Sequence, residues 1–126
     1  MAVVGLGVDL VELDRVGRSL TRWGARLVGR LMDAEEAARL PASGAERILA
    51  VAGAIALKEA ASKALGTGWS HGVYWRDVIV TLEPAPSVRL ARRAAAVARA
   101  RGSSGRHHAA LEARGNLLIA ELRLLA

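Results

Sequence analysis

Few residues in this sequence have both the type and the spacing to do chemistry. Asp9 follows Gly5 and Gly7 at alternate positions of the run 2–11. Side chains alternate along a strand, so these three share one face, and a carboxylate beside two residues without side chains leaves room for something to sit against it. Glu59 and Lys63 stand four apart in a helix-forming segment and so share a helix face. Each feature also has a plainer reading. Asp9 suits the solvent side of an edge strand, and Glu59 with Lys63 makes an ordinary helix pair contributing a few tenths of a kcal/mol. A partner elsewhere in the chain is what would make either functional. Arg15, Arg18, Arg22 and Arg26 recur at spacings of three and four. That stripe is a solvated face or a landing surface for an acidic molecule. Cys is absent, which excludes disulfides and thiolate chemistry. His71, His107 and His108 lack metal-ligand spacing, and Gly5-Leu-Gly7 lacks the third glycine of a dinucleotide fingerprint.

The elements that must position these groups follow from the apolar pattern. Residues 2–11 form a strand with Val4, Leu6, Val8 and Leu10 on its apolar face. Residues 15–31 form one amphipathic helix on Val16, Leu20, Trp23, Leu27 and Leu31. Asp33 opens a short acidic helix, and 41–44 is a loop. The helix over 45–65 is the strongest element, with Ile48, Leu49, Ala52, Ile55 and Ala56 as its buried side, and it stops at Gly66 and Gly68. Residues 74–82 and 88–90 are strands, and 91–101 is an Ala/Arg helix. Strands over 107–112 and 117–125 are joined by a hairpin turn at 113–116. This order predicts an α+β fold, an antiparallel sheet packed with a long central helix and shorter helices, as one domain over 1–126.

Composition bounds the class. With 126 residues, 52% hydrophobic, the chain suits one compact domain. Phe is absent, so the core is built from Leu, Val, Ile and Ala. No signal peptide precedes the first strand, and no apolar run reaches the ~18 residues of a membrane helix. A cytoplasmic protein is expected. The net charge is +6, and Lys58 and Lys63 are the only lysines among 18 basic residues. No zinc-finger spacing or aromatic-rich RNA motif accompanies that charge, so no nucleic-acid or membrane partner is expected.

Three segments together are specific. Val4-Gly-Leu-Gly-Val-Asp-Leu-Val-Glu-Leu-Asp-Arg-Val16 resembles the N-terminal signature of the holo-acyl-carrier-protein synthase type of 4'-phosphopantetheinyl transferase. Leu57-Lys-Glu-Ala-Ala-Ser-Lys-Ala-Leu-Gly-Thr-Gly68 resembles the same family's Lys-Glu-Ala-x-x-Lys-Ala box, and Gly72-Val-Tyr-Trp-Arg-Asp-Val78 its tryptophan segment. The resemblance covers the chain to about residue 82.

That resemblance implies transfer of the phosphopantetheine arm of coenzyme A to a serine of an acidic acyl or peptidyl carrier protein, in fatty acid or polyketide biosynthesis. It implies Mg²⁺ on Asp9 and Glu59, transfer chemistry on Glu59 and Lys63, and coenzyme A held by Lys63, Gly66 and Gly68, with Arg47 a candidate replacement for the family arginine that is absent at Ala54. It also implies carrier docking on Arg15, with Arg18, Arg22 and Arg26 beside it, and a homotrimer. The family's Arg-Phe-Ala-Ala before the box is Ala54-Ile-Ala-Leu57 here, and its C-terminal His-x-Ser-Leu-Ser-His strand is His108-Ala-Ala-Leu-Glu-Ala113. Part of the nucleotide grip is therefore missing. The alternative is a catalytically impaired carrier-binding protein, or a specialised enzyme acting on a carrier-bound substrate.

Overall fold

The computed structural model describes residues 2–126. In chain order its elements are β1 (Val3–Glu12), α1 (Leu13–Trp23), α2 (Ala25–Leu31), α3 (Ala34–Ala38) and α4 (Gly44–Leu65). There follow a 3₁₀ turn (Trp75–Asp77), β2 (Val78–Thr81), β3 (Ser87–Leu90), α5 (Arg92–Ala100), β4 (His107–Arg114) and β5 (Leu117–Leu125). The fold is α+β, as the sequence predicts. β1, β5 and β4 form one antiparallel sheet in that order, and β2 pairs with β3 in a second.

α4 is the axis of the molecule. Alanine and leucine carry it through 22 residues. It stops where Gly66 adopts left-handed backbone (φ 79°) and donates its N–H to the Lys63 carbonyl. Val51, Ala52, Ala56, Leu57, Ala60, Ala61, Ala64 and Leu65 are all buried, so neighbours enclose α4 on more than one side. The single buried stripe expected from the sequence does not describe such a helix: Leu49 is 48% exposed. Across the sheet, Gly5 pairs with Leu124, Gly7 with Leu122, and Asp9 with Ala120. Leu122, Leu124 and Ala120 are buried in the common core.

Two predicted elements change form. The helix expected over 15–31 breaks at Gly24, whose backbone (φ 51°, ψ −126°) is open chiefly to glycine. Gly24 caps α1 by donating to the Leu20 carbonyl, and its own carbonyl accepts from Leu27 and Val28 to start α2. The strand expected over 74–82 begins as a 3₁₀ turn. The Asp77 carboxylate accepts from the Tyr74 N–H and the Asp77 N–H bonds the Tyr74 carbonyl, so extension starts only at Val78. α3 begins as predicted at Asp33, in a reciprocal capping box with Glu36. No helix among the described residues is long and apolar enough to cross a membrane.

Candidate active site

β1 touches α4 backbone to backbone. A Cβ on Gly5 would run into the Ala64 carbonyl oxygen, and one on Gly7 into that of Ala60. The space suggested beside Asp9 is thus taken up by the helix itself. This close approach lets Lys63 reach across. Its Nζ lies 2.9 Å from Asp9 Oδ1 and 3.1 Å from the Val8 carbonyl oxygen. Asp9 is not the solvent-facing residue of the plainer reading, since its side chain is only 16% exposed. Glu59, half-buried, stands one turn before Lys63, about 6 Å along the axis.

Two carboxylates and an ammonium at one seam are suited to an anion carrying a divalent cation. Mg²⁺ takes one or two carboxylates and completes its shell with water and phosphate oxygens. The donor set here matches that description. No cluster of three or more His, Cys, Asp or Glu residues that could hold a metal ion occurs among the described residues.

The remaining site residues fall elsewhere. Gly66 and Gly68 form the turn just past Lys63, both with positive φ; the Gly68 N–H bonds the Ser62 carbonyl, and Gly66 packs against Arg101. Arg47 lies in the first turns of α4 and donates to the Pro41 carbonyl (3.0 Å). It is sixteen positions from Lys63 on one helix, about 24 Å away, so the fold does not bring these two predicted coenzyme A contacts together. The four arginines of the stripe are exposed but divided, with Arg15, Arg18 and Arg22 on α1 and Arg26 on α2.

The two positions that depart from the family pattern do come together. Ala54 and Ala113 line one cavity of about 800 Å³ between α3, α4, β2 and β4, with Leu49, Leu82, Leu111 and Leu118. Its wall is mainly apolar where the family pattern carries Arg and His.

Sequence reasoning passed over a buried polar cluster. Lys58 is fully buried. Its ammonium donates to Glu36 (2.9 Å), to the Trp75 carbonyl (3.0 Å) and to the Val78 carbonyl. Glu36 in turn accepts from the Asp33 and Val80 N–H groups. Burial holds the Lys58 pKa below its ordinary value, and the Glu36 charge partly opposes the shift. The available signal was a lysine whose helix-face neighbours Ala54, Ile55 and Ala61, three and four positions away, are apolar. Trp23 was also misplaced. Its spacing from Val16 and Leu20 puts it on the core side, yet α1 ends there and the ring is 45% exposed.

The fold recurs in known proteins. The sequence profile of the 4'-phosphopantetheinyl transferase superfamily matches residues 5–113. A holo-[acyl-carrier-protein] synthase of Nitratidesulfovibrio vulgaris is 41% identical over 107 residues, covering 83% of this chain and 85% of that protein. The crystal structure of the Neisseria meningitidis holo-[acyl-carrier-protein] synthase is alike in fold, with a TM-score of 0.83 at 24% identity over 99% of this chain and 100% of that one. A holo-(acyl-carrier-protein) synthase from Bacillus anthracis, solved with CoA (3',5'-ADP), has a TM-score of 0.74 at 26% identity over 97% of this chain and 96% of that one. With the match running through both signatures and the Asp9–Lys63 seam they encode, the chain belongs to the 4'-phosphopantetheinyl transferase superfamily.

Proposed function

We propose that this protein transfers the 4'-phosphopantetheine arm of coenzyme A to a serine of an acyl or peptidyl carrier protein, in cytoplasmic fatty acid or polyketide biosynthesis. The observation that carries the reading is the seam where Asp9 on β1 meets Lys63 on α4 at 2.9 Å, with Glu59 one turn away. Asp9 and Glu59 would hold Mg²⁺, which would neutralise the diphosphate as the serine approaches. The serine oxygen attacks the phosphorus bearing the pantetheine arm. Its proton passes to Glu59, directly or through a water. The bond to 3',5'-adenosine diphosphate breaks, and Lys63 stabilises or protonates the departing oxygen. Phosphoryl transfer of this kind is mainly positioning and charge stabilisation. The turn at Gly66 and Gly68 follows Lys63; both N–H groups are spent on the Lys63 and Ser62 carbonyls, so it is the open space beside Gly68 that would let the same ligand approach closely.

Arg47 and Lys63 lie about 24 Å apart along α4, so within one chain only an extended coenzyme A would meet both, and sites shared between copies of a homotrimer would shorten that span. The outer face of the sheet supports association: Leu6, Val8 and Leu10 are 56%, 48% and 59% exposed there. The apolar cavity at Ala54 and Ala113 favours a second reading, a carrier-binding protein with weakened chemistry. Loss of one charge-assisted phosphate contact weakens binding about ten- to a hundredfold.

Mass spectrometry of an apo-carrier protein incubated with this chain, coenzyme A and Mg²⁺ tests the choice. Gain of the phosphopantetheine mass is expected. A carrier that binds but is never modified, with no coenzyme A binding in calorimetry, would establish the second reading instead.

A further inference from the structure

A second cation lies along the edge of β1 that meets Lys63. β1 is an outer strand of its sheet, so one of its edges has no strand partner. Lys63 donates there to the Val8 carbonyl. Arg101, which closes α5, donates to the Val4 carbonyl (3.3 Å) and to the Leu65 carbonyl at the end of α4 (3.3 Å). Val4 and Val8 stand four positions apart, so their carbonyls point to the same edge about 13 Å from each other. The seam between β1 and α4 is thus bounded by an ammonium at one end and a guanidinium at the other. Gly66 makes room for the guanidinium, since a Cβ there would lie 2.6 Å from Arg101 Nη1.

The plain role of Arg101 is to satisfy carbonyls left open by the strand edge and the helix end. That role takes two of its five N–H donors. The residue is exposed, and no carboxylate among the described residues forms an ion pair with it. Its two backbone contacts hold the fork in place before any ligand arrives, which lowers the cost of binding one. A fixed guanidinium with unspent donors matches a phosphate. Coenzyme A carries phosphate at two places, the diphosphate and the 3'-phosphate on its ribose. With the diphosphate at Lys63 and the Asp9–Glu59 carboxylates, the 3'-phosphate needs a cation farther along. Ala54 and Ala113 supply none. We infer that Arg101 receives the 3'-phosphate of coenzyme A, and so makes this chain select coenzyme A over its 3'-dephospho form. The inference rests on coenzyme A being the donor substrate, as proposed above.

Calorimetry on the full chain with Mg²⁺ and either coenzyme A or 3'-dephospho-coenzyme A separates a phosphate contact from a structural tie. Wild type should bind coenzyme A about 10- to 100-fold more tightly than the dephospho form. Arg101→Ala should lose most of that preference by weakening coenzyme A alone, and Arg101→Lys should recover part of it. In transfer assays Arg101→Ala should raise the KM for coenzyme A and leave kcat near wild type. If Arg101→Ala weakens both donors equally, Arg101 only ties Val4 to Leu65, and the inference falls while the proposed reaction stands. A preference that survives in Arg101→Ala, or is absent in wild type, overturns it as well. A preference that depends on Arg101 in a chain that never modifies a carrier upholds the inference and removes the proposed transfer. A wild-type chain that binds neither donor overturns both.

Discussion

Lys58 and Lys63 stand five positions apart on α4, and a helix turns through about 140° over that distance. Lys58 faces α3, the 3₁₀ turn and β2, where all three of its N–H donors are taken by Glu36 and two carbonyls. Lys63 faces β1, where Asp9 and the Val8 carbonyl take two and half of the side chain stays open. The chain's only two lysines thus have opposite tasks. One is saturated and ties four segments together. The other is partly satisfied and keeps a donor free for a ligand. Residue type did not separate these tasks; the count of donors already spent does.

The comparison fails if the open seam can be emptied without loss of transfer. Asp9→Ala removes a hard-oxygen ligand and the partner of Lys63. Transfer should fall on the order of a thousandfold, the scale of deleting one preorganised electrostatic group. Cooperative unfolding should persist, because Lys58 and the core are untouched. Mass spectrometry of the carrier gives the first quantity and urea denaturation the second.

The reverse experiment acts on Lys58. Lys58→Met keeps much of the bulk but leaves Glu36 a buried carboxylate without its cation. Breaking such a pair costs about 3–5 kcal/mol. The midpoint of denaturation should drop accordingly, and Glu36→Gln combined with Lys58→Met should recover part of it. If Lys58→Met unfolds like wild type, the cluster is not what ties these segments together.

Gly7 links the two regions, since it sets the distance between β1 and α4. A methyl there meets backbone and not a movable side chain, so Gly7→Ala must push the strand away. Overpacking of this kind costs about 1–3 kcal/mol. It should also slow transfer by drawing Asp9 away from Lys63. Both changes should appear in one preparation, stability from urea denaturation and rate from carrier mass. A variant that loses stability but transfers at the wild-type rate would uncouple Gly7 from the seam.

Much of this was legible in the sequence. Strand alternation grouped Gly5, Gly7 and Asp9, the four-residue spacing grouped Glu59 with Lys63, and Asp33 marked the start of α3. What escaped depends on pairing across distance. The side of β1 that meets the helix is the one without side chains, while Leu6, Val8 and Leu10 point outward, so hydrophobicity alone points to the wrong face. The break at Gly24 lies inside an unbroken apolar repeat. The partner of Lys58 is 22 positions upstream, in a segment whose acidic residues look like a helix start. Ala54 and Ala113 were separate departures until the fold made them walls of one cavity.

The smallest expected effect is on pH dependence. Burial lowers the Lys58 pKa from 10.5, and the charges of Glu36, Asp33 and Asp77 only partly restore it. Between that lowered value and 10.5 the unfolded chain binds more protons than the folded one, so the Lys58 contribution to stability rises with pH in this window. Below the window the charged amine is a cost that no longer varies. Other groups titrate in the same range, so the quantity to follow is the difference between wild type and Lys58→Met, measured by urea denaturation from pH 7 to pH 10.5. The gap should be flat at first and then widen in favour of wild type, with a slope of at most about 1.4 kcal/mol per pH unit. A gap that narrows on the alkaline side would mean that Glu36 holds the proton on Lys58 more strongly than burial expels it. The cluster would then be stabilised by its ion pair, and the contrast with Lys63 would rest on exposure alone.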